Sequence, residues 1–579
     1  MGAATGSALV AGCQGITGGG GGGDDDDLGE RVPTLMYKYY PWNGGHEAIA
    51  PIVKKQFEDM GFEVEVSSLE PLTWVDKVYN DSRELHFGDW GTTASGDRLD
   101  PQEFIMDYAA DNAGPGGTHD THWVNCEYTE LAHQQAREPD TEKRRELVYQ
   151  AQEIFGEDYV VWPCITVYRE GAVRKDQMDV KSVGKAGVQV GNYHIQIHSD
   201  TDKEAINLAL ASNVVNTLNW PTQSSGVGQV LWNHVPNSAL FEYDENYELQ
   251  HVLAESSSYS DDGETLTVEL RDGTFHNGDP ITAEDVKFTF EHIDSYPEKY
   301  PIRKDQRFDS IEAVDEKTVE FNFDGPNPVF RGRYATLIGI LHKDSWVEMG
   351  ADENPDNFNM EVDSFVGSGP FTVAAWDRGR QITLESHDGH PYYPTADHRL
   401  NWIFYQESQP RISAFKEGTV DILVTISQSF VRELKETMSD DKLEVVKLDS
   451  FAADHLNPQH TRHPTQFKEF RKAIGTGLNR ERINLVETNG KAGLQMACTL
   501  FTETHPWRAP DEYLTYYTQE PTGEQDKAEQ ILLDAGWGKD DDGFWHYPPD
   551  KDLSPPWPQG EQPTGDEFPC LDEDGNYAQ

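Results

Sequence analysis

Residues 253–291 read LAESSSYSDDGETLTVELRDGTFHNGDPITAEDVKFTFE, and this stretch decides the fold class. Thr265, Thr267 and Glu269 alternate with Leu266, Val268 and Leu270. A period of two means a strand with one buried face. Asp261-Asp262-Gly263 ahead of it is a hairpin-type turn, and Asn277-Gly278-Asp279-Pro280 behind it is a second turn. Thr282, followed by Ala283, Glu284 and Asp285, reads as an N-cap and an acidic first turn, which suit the unpaired N–H groups and the positive dipole end of a helix. Val286, Phe288, Phe290 and Glu291 carry that helix on. The stretch is an α/β scaffold with no active site of its own.

As one string it resembles the signature of the family 5 extracellular solute-binding proteins, the dipeptide- and oligopeptide-binding receptors of ABC importers. The matching residues are Leu253-Ala254-Glu255, Ser260, Asp262-Gly263, Thr265, Leu270-Arg271, Gly273, Phe275-His276, Gly278, Pro280-Ile281-Thr282-Ala283 and Asp285-Val286. Further family motifs follow. Ser310 to Asp315 with Thr318-Val319, Gly367-Ser368-Gly369-Pro370-Phe371, Gly418 to Ile422, Phe470 to Ile474 with Leu478-Asn479-Arg480, and Lys527-Ala528 through Gly536-Trp537 are all similar to family segments.

The order of the remaining motifs differs from the family's. The segment Pro33 to Val66, which resembles one that follows the Ala-Gly-Trp motif, stands at the start of this chain. Glu142 to Gln152 and Val161-Trp162-Pro163 with Val167-Tyr168 resemble the family's carboxy-terminal helix and strand, yet precede Ile206, where the family pattern begins. The resemblance therefore implies a two-lobed, periplasmic-binding-protein-like type II α/β fold of the peptide-receptor subtype, with an extra subdomain and circularly permuted. Permutation is tolerated where old termini lie close together at the surface. On this reading residues 1–32 are a leader remnant and leash, 33–165 the first part of lobe two, and 166–250 part of lobe one. The permutation joint falls at about 186–203 within the latter. Residues 251–362 are the extra subdomain, 363–450 the rest of lobe one, and 451–579 the rest of lobe two with a loop-rich tail. Ile206 to Ala211 is expected in the lobe-one sheet beside the element Val160 to Arg169. Arg471 to Ile483 is expected to be helical, and Pro33 to Tyr39 and the Lys527 to Ala535 helix are expected in one lobe.

Composition constrains partners. Of 579 residues, 47 are Lys or Arg and 102 are Asp or Glu, a formal charge of −55. Such a surface repels nucleic acid and anionic lipid. It suits either an acidic partner-binding surface or a protein adapted to high salt, and the even spread of carboxylates along the chain favours the second, a halophile's protein. No apolar run is long enough to span a bilayer. The five cysteines, Cys13, Cys126, Cys164, Cys498 and Cys570, are widely spaced and indicate neither a disulfide framework nor a zinc ribbon. Val10-Ala11-Gly12-Cys13 resembles a lipobox, with Gly18 to Gly23 as a leash, so Cys13 is the expected lipid anchor and the true start is expected upstream.

No phosphate loop, nucleophile elbow or His-Glu-x-x-His motif is present. His119, His122 and Cys126, and also His455, His460 and His463, have metal-like spacing. Both groups read as loop histidines, and no metal or cofactor is expected. The resemblance places a peptide-ammonium-binding aspartate at Asp97, within Gly96-Asp97-Arg98-Leu99-Asp100-Pro101. A desolvated ammonium needs such a charge-assisted partner. Trp90, Asn219, Trp220, Ser368, Gly369, Trp376, Trp402 and Tyr405 complete the candidate ligand-binding set, each equally readable as packing. The implied function is capture of di- or oligopeptides in a cleft between the lobes and delivery to ABC permease subunits. This would be done by a lipid-anchored extracellular monomer that does no catalysis. An oligosaccharide- or nickel-binding receptor on the same fold and a carboxylate-dependent hydrolase are the alternatives.

Overall fold

In the computed structural model of the chain the described residues are 28–578, without 40–44, 81–82, 91–98, 167–168, 179–200, 212–216, 223–230, 301–307, 449–450 and the single positions 233, 245, 298 and 452. The signature stretch folds as its pattern dictates. Thr265–Leu270 is a strand whose Leu266, Val268 and Leu270 are buried. Each such side chain contributes about 1.5–3 kcal/mol by leaving water. It pairs antiparallel with Ala254–Tyr259 on one side and Thr318–Asn322 on the other, and Ser310–Ala313 completes a four-stranded sheet. Gly263 turns the hairpin at φ +73°, a conformation that carries no Cβ penalty in glycine. The Ala283–Ser295 helix starts with a capping box, in which Asp285 accepts from both the backbone N–H and the hydroxyl of Thr282.

Two larger sheets organise the rest. A seven-stranded sheet runs in the order Phe371–Asp377, Gln381–Ser386, Arg399–Tyr405, Ala205–Ala211, Ile422–Ile426, Arg169–Arg174 and Leu443–Leu448. Its core, from Val173 to Val446, is continuous with that of the four-stranded sheet. A six-stranded sheet runs Gly493–Leu494, Trp162–Thr166, Asp454–Pro458, Phe87–Trp90, Leu35–Tyr39 and Val64–Ser68. Its core joins residues from Val32 to Ile165 with residues from Leu456 to Tyr547. Leu35 and Tyr37 share that core with Ala528 and Leu532 of the Gln525–Asp534 helix, so these two ends of the chain pack together.

Some sequence expectations change. Val160 to Arg169 is not one strand. Trp162–Thr166 belongs to the six-stranded sheet and Arg169–Arg174 to the seven-stranded one. Ala205–Ala211 is consequently flanked by Arg399–Tyr405 and Ile422–Ile426 and is not beside that element. The expected helix from Arg471 to Ile483 is two, Lys468–Gly477 and Arg480–Thr488. Asn479 breaks it, because its side chain accepts from the N–H of Arg482 and makes a better N-cap than a helix interior residue. Cys126 and Cys570 form a disulfide across 444 positions, which spacing alone did not reveal. The bond ties the tail to the Cys126–Arg137 helix, where Tyr577 also stacks on His133 at 3.9 Å.

Candidate functional site

Among the described residues the chain passes between the two large sheets twice, from Thr166 to Arg169 and from Leu448 to Asp454. The candidate site is the ground beside these crossings. The second crossing delivers the strand Asp454–Pro458, which lies between Trp162–Thr166 and Phe87–Trp90. Its His455 reaches Asp120, whose other oxygen accepts from the Tyr108 hydroxyl at 2.7 Å. Asn457 and Gln459 both donate to the backbone carbonyl of Asp120. Burial alone would raise the Asp120 carboxyl, but His455 and Tyr108 hold it below the usual carboxylate range. A buried polar network of this kind fixes the strand where it enters the lobe.

The loop carrying Asp97 lies outside the described residues, but its base is visible. Asp100 is buried and takes two nitrogens of Arg144 at 2.8 and 2.6 Å and the N–H of Gln102 at 2.9 Å. Arg144 also donates to the carbonyl and the side-chain oxygen of Gln135. Burial works against the Asp100 carboxylate, and the Arg144 guanidinium more than offsets it, so the group stays ionised. The Asp100-Pro101 turn is thus riveted to the Thr141–Glu157 helix. The pairing joins positions 44 apart, and no local pattern announces it.

The remaining candidates divide by environment. Ser368 is fully buried, donates to the carbonyl of Ile340 and accepts from the N–H of Ser238. A Cβ at Gly369 would lie 2.2 Å from the carbonyl oxygen of Val235, so only glycine allows that approach. His276 of the signature closes the same joint. Its Nδ1 accepts from the N–H of Gly367 and its Nε2 faces the carbonyl of Gly369 at 3.0 Å, which requires the neutral Nε2–H tautomer. Burial pushes that imidazole down to about 3. Two motifs that carry the resemblance therefore meet each other in a structural joint. Trp402 is fully buried and lies edge-on to Trp232, a core position. Tyr405 is half-buried, and Trp376 is partly exposed with the Arg378 guanidinium 4.4 Å from its ring. Asn219 and Trp220 are buried, and Trp220 belongs to the core of the seven-stranded sheet. The Asn219 side-chain oxygen and the Trp220 indole nitrogen have no hydrogen-bond partner among the described residues. The side chain of Trp90 and all of Cys13 fall outside the described residues.

The two histidine groups with metal-like spacing have other partners. Cys126 is in the disulfide, and His122 contacts the carbonyls of Ala113 and Val78. His119 accepts from the N–H groups of Thr121 and His122, and burial lowers it to about 3. His460 faces the carbonyl of Val160 and His463 the Tyr547 hydroxyl. A different group has metal-ligand geometry. One donor atom each from His46, Asp454 and Glu487 lie within 4.8 Å of one another.

A family model of bacterial extracellular solute-binding proteins, family 5 Middle, matches residues 248–560, more than half of the chain. The chain is a family 5 extracellular solute-binding protein. Its architecture is mixed α/β. Among curated relatives of this family member, the probable D,D-dipeptide-binding periplasmic protein DdpA of Escherichia coli is 28% identical over 252 residues, covering 42% of this chain and 47% of DdpA. The dipeptide-binding protein DppE of Bacillus subtilis is 24% identical over 296 residues, covering 46% of this chain and 52% of DppE. The chain spans about half the length of the curated relatives it matches. Among solved structures, the ABC transporter substrate-binding protein CtaP from Listeria monocytogenes is similar at TM-score 0.45 and 22% identity, covering 58% of this chain and 66% of that one. No helix of the described residues of this family 5 protein is long and apolar enough to cross a membrane.

Proposed function

We propose that this family 5 protein captures peptides between its two lobes and hands them to ABC permease subunits at the outer face of the membrane, without catalysis. The observation that carries this reading is the family match over 248–560 on a chain whose two large sheets are joined by two crossings. Two lobes joined by such crossings would close on a ligand by changing a few backbone angles. Relatives with dipeptide and glutathione in their names favour a peptide ligand. Asp97 supplies the carboxylate for the peptide ammonium, on the base built by Asp100 and Arg144. Asn219 and Trp220 offer polar atoms to the ligand, Trp90 and Trp376 line the approach, and Cys13 carries the lipid anchor.

Mass spectrometry of ligand released from the purified protein tests the substrate class directly. A peptide is expected, and a sugar or a nickel chelate would replace the peptide reading. Calorimetry with the recovered peptide then tests Asp97. Losing one partner of a buried ion pair costs about 3–5 kcal/mol, so Asp97→Ala should weaken binding by roughly two to four orders of magnitude. Acetylating the peptide amine should weaken the wild type far more than the variant. Cys13→Ser should release the protein from the membrane fraction.

We further infer that the chain is circularly permuted, with lobe two assembled from about 33–165 and 451–579, lobe one from 166–250 and 363–450, and the extra subdomain from 251–362. The hydrogen bonds of Gly29 to Tyr547, Tyr547 to Glu30 and Val32 to Trp545 favour this order, since a chain running on from Tyr547 to Gly29 would need little rearrangement. A gene starting at Thr201 and linking the present ends through a flexible segment should yield a protein that folds and binds as the natural order does. Failure to fold would argue for a fusion of separate units.

A further inference from the structure

The first residue after the second crossing, Asp454, meets two side chains from distant parts of the chain. His46 lies in the first turn of the Gly45–Asp59 helix, and Glu487 lies one residue before the end of the Arg480–Thr488 helix. These two helices pack on each other, and the second also packs on Trp162–Thr166. All three donors therefore stand on regular elements and not on loops, which is what a reproducible coordination geometry needs. His46 is only 2% exposed, while Asp454 and Glu487 are half-buried.

One donor atom from each residue falls within 4.8 Å of the others. Three ligands bound to one ion at about 2.0–2.2 Å lie within about 4.4 Å of each other, so small side-chain adjustments bring these atoms onto a common centre. Two carboxylates converging in a half-buried place repel each other unless a positive charge stands between them. A metal ion is one such charge. The imidazole decides the class of metal. Oxygen-only groups suit Ca²⁺ and Mg²⁺, whereas a nitrogen donor beside two carboxylates suits Zn²⁺ and its neighbours.

We propose that His46, Asp454 and Glu487 form a site for one divalent transition-metal ion of the zinc class, with three protein ligands and a coordination position left open. The ion cross-links the Gly45–Asp59 helix to the strand that emerges from the crossing and to the Arg480–Thr488 helix. It thereby pins together the two chain segments that build the six-stranded lobe, close to where the lobes connect. The open position accepts water or a donor atom of a bound molecule. This inference is independent of what the protein captures.

The test is zinc retention by the full chain after chelator treatment. Dialysis is against limiting Zn²⁺ in molar KCl with millimolar Mg²⁺, which occupies the oxygen-only groups of so acidic a surface. One Zn²⁺ per chain is expected. Loss of an outer-shell partner weakens metal affinity by about 10–100-fold, so His46→Gln, Asp454→Asn and Glu487→Gln, each removing a direct ligand, should weaken it by more than about 100-fold. Circular dichroism checks that each variant is folded. Replacing Zn²⁺ with Co²⁺ in the wild type should give the strong visible bands of a low-coordinate ion with a nitrogen ligand. The proposal is overturned if no zinc is retained, if the three variants retain it as the wild type does, or if Co²⁺ shows only the weak bands of an octahedral all-oxygen ion. In those cases the three side chains form a polar cluster that holds no metal. Should a variant fail to fold, the wild-type retention and Co²⁺ spectrum still decide.

Discussion

The two lobes contain comparable sheets but are held together differently. The seven-stranded sheet and the signature subdomain come from one run of chain, Arg169 to Leu448, and include hairpins such as Phe371–Asp377 with Gln381–Ser386. The six-stranded sheet is closed by contacts between positions hundreds apart. Trp162 donates its indole N–H to the carbonyl of Arg471, and Arg480 donates to the carbonyl of Pro163. Arg471 donates to the carbonyls of Asp158, Tyr159, Thr465 and Gln466, clasping both segments. The Cys126–Cys570 bond adds a covalent tie to the same lobe. Both sheets contain long-range pairings, such as Arg169–Arg174 with Leu443–Leu448 in one and Asp454–Pro458 with Phe87–Trp90 in the other, so what sets the six-stranded lobe apart is its dependence on a few buried groups such as Arg471.

Lowering salt should expose the difference most strongly. From about 1 M to 0.1 M the Debye length grows from about 3 to 10 Å, and the −55 charge repels itself over that range. The folded signal is expected to disappear below a few hundred millimolar, with amide exchange rising first in the six-stranded lobe. A melting temperature independent of salt would remove the halophilic reading.

Arg471→Met is the next largest perturbation. It leaves several buried carbonyls without donors, and breaking such a buried network costs about 3–5 kcal/mol. The corresponding cut in the other lobe, Ser368→Ala, removes one neutral hydroxyl and should cost only about 1 kcal/mol. Denaturant unfolding of both variants compares them, and equal losses would break the contrast.

Reducing the disulfide, or replacing Cys570 with Ser, should cost about 2–4 kcal/mol. Limited proteolysis should then cut the tail from 548 to 578 while the Arg169 to Leu448 body stays intact. Cleavage spread evenly over both lobes would show that the bond stabilises more than its own region.

Acid should act on both lobes alike. His119 in one and His276 and His390 in the other are all pushed down to about 3 by burial. Each is neutral when folded and takes up a proton when unfolded, so its contribution is present above about pH 6.5 and is lost as pH falls toward 3. At about pH 5.5 the loss is about 1–1.5 kcal/mol for each imidazole. Melting curves of His119→Gln and His276→Gln between about pH 7 and 5 should each be flatter than the wild type's.

The legible part of this protein was the part whose pairing is local. The period-two run Thr265–Leu270, the Gly263 turn and the Thr282 capping box follow from neighbours in sequence, and they also carried the family resemblance. That resemblance, with the displaced Pro33 to Val66 segment, placed the two chain ends in one lobe. The split of Val160 to Arg169 between two sheets was not legible, because buried strands of either sheet are equally apolar. Asn479 broke a helix that periodicity alone carries through.

The sequence by itself determined the α/β class, the family, the acidic surface and the elements whose hydrogen bonds close within a few residues. The tertiary structure alone decided which distant groups meet: Asp100 with Arg144, Asp120 with His455, Cys126 with Cys570, and His46 with Asp454 and Glu487. The reason is physical. Local periodicity fixes which face of an element is buried, but a side chain's partner on that face is set by how whole elements pack. Nothing in the spacing of residues 46, 454 and 487 records that packing.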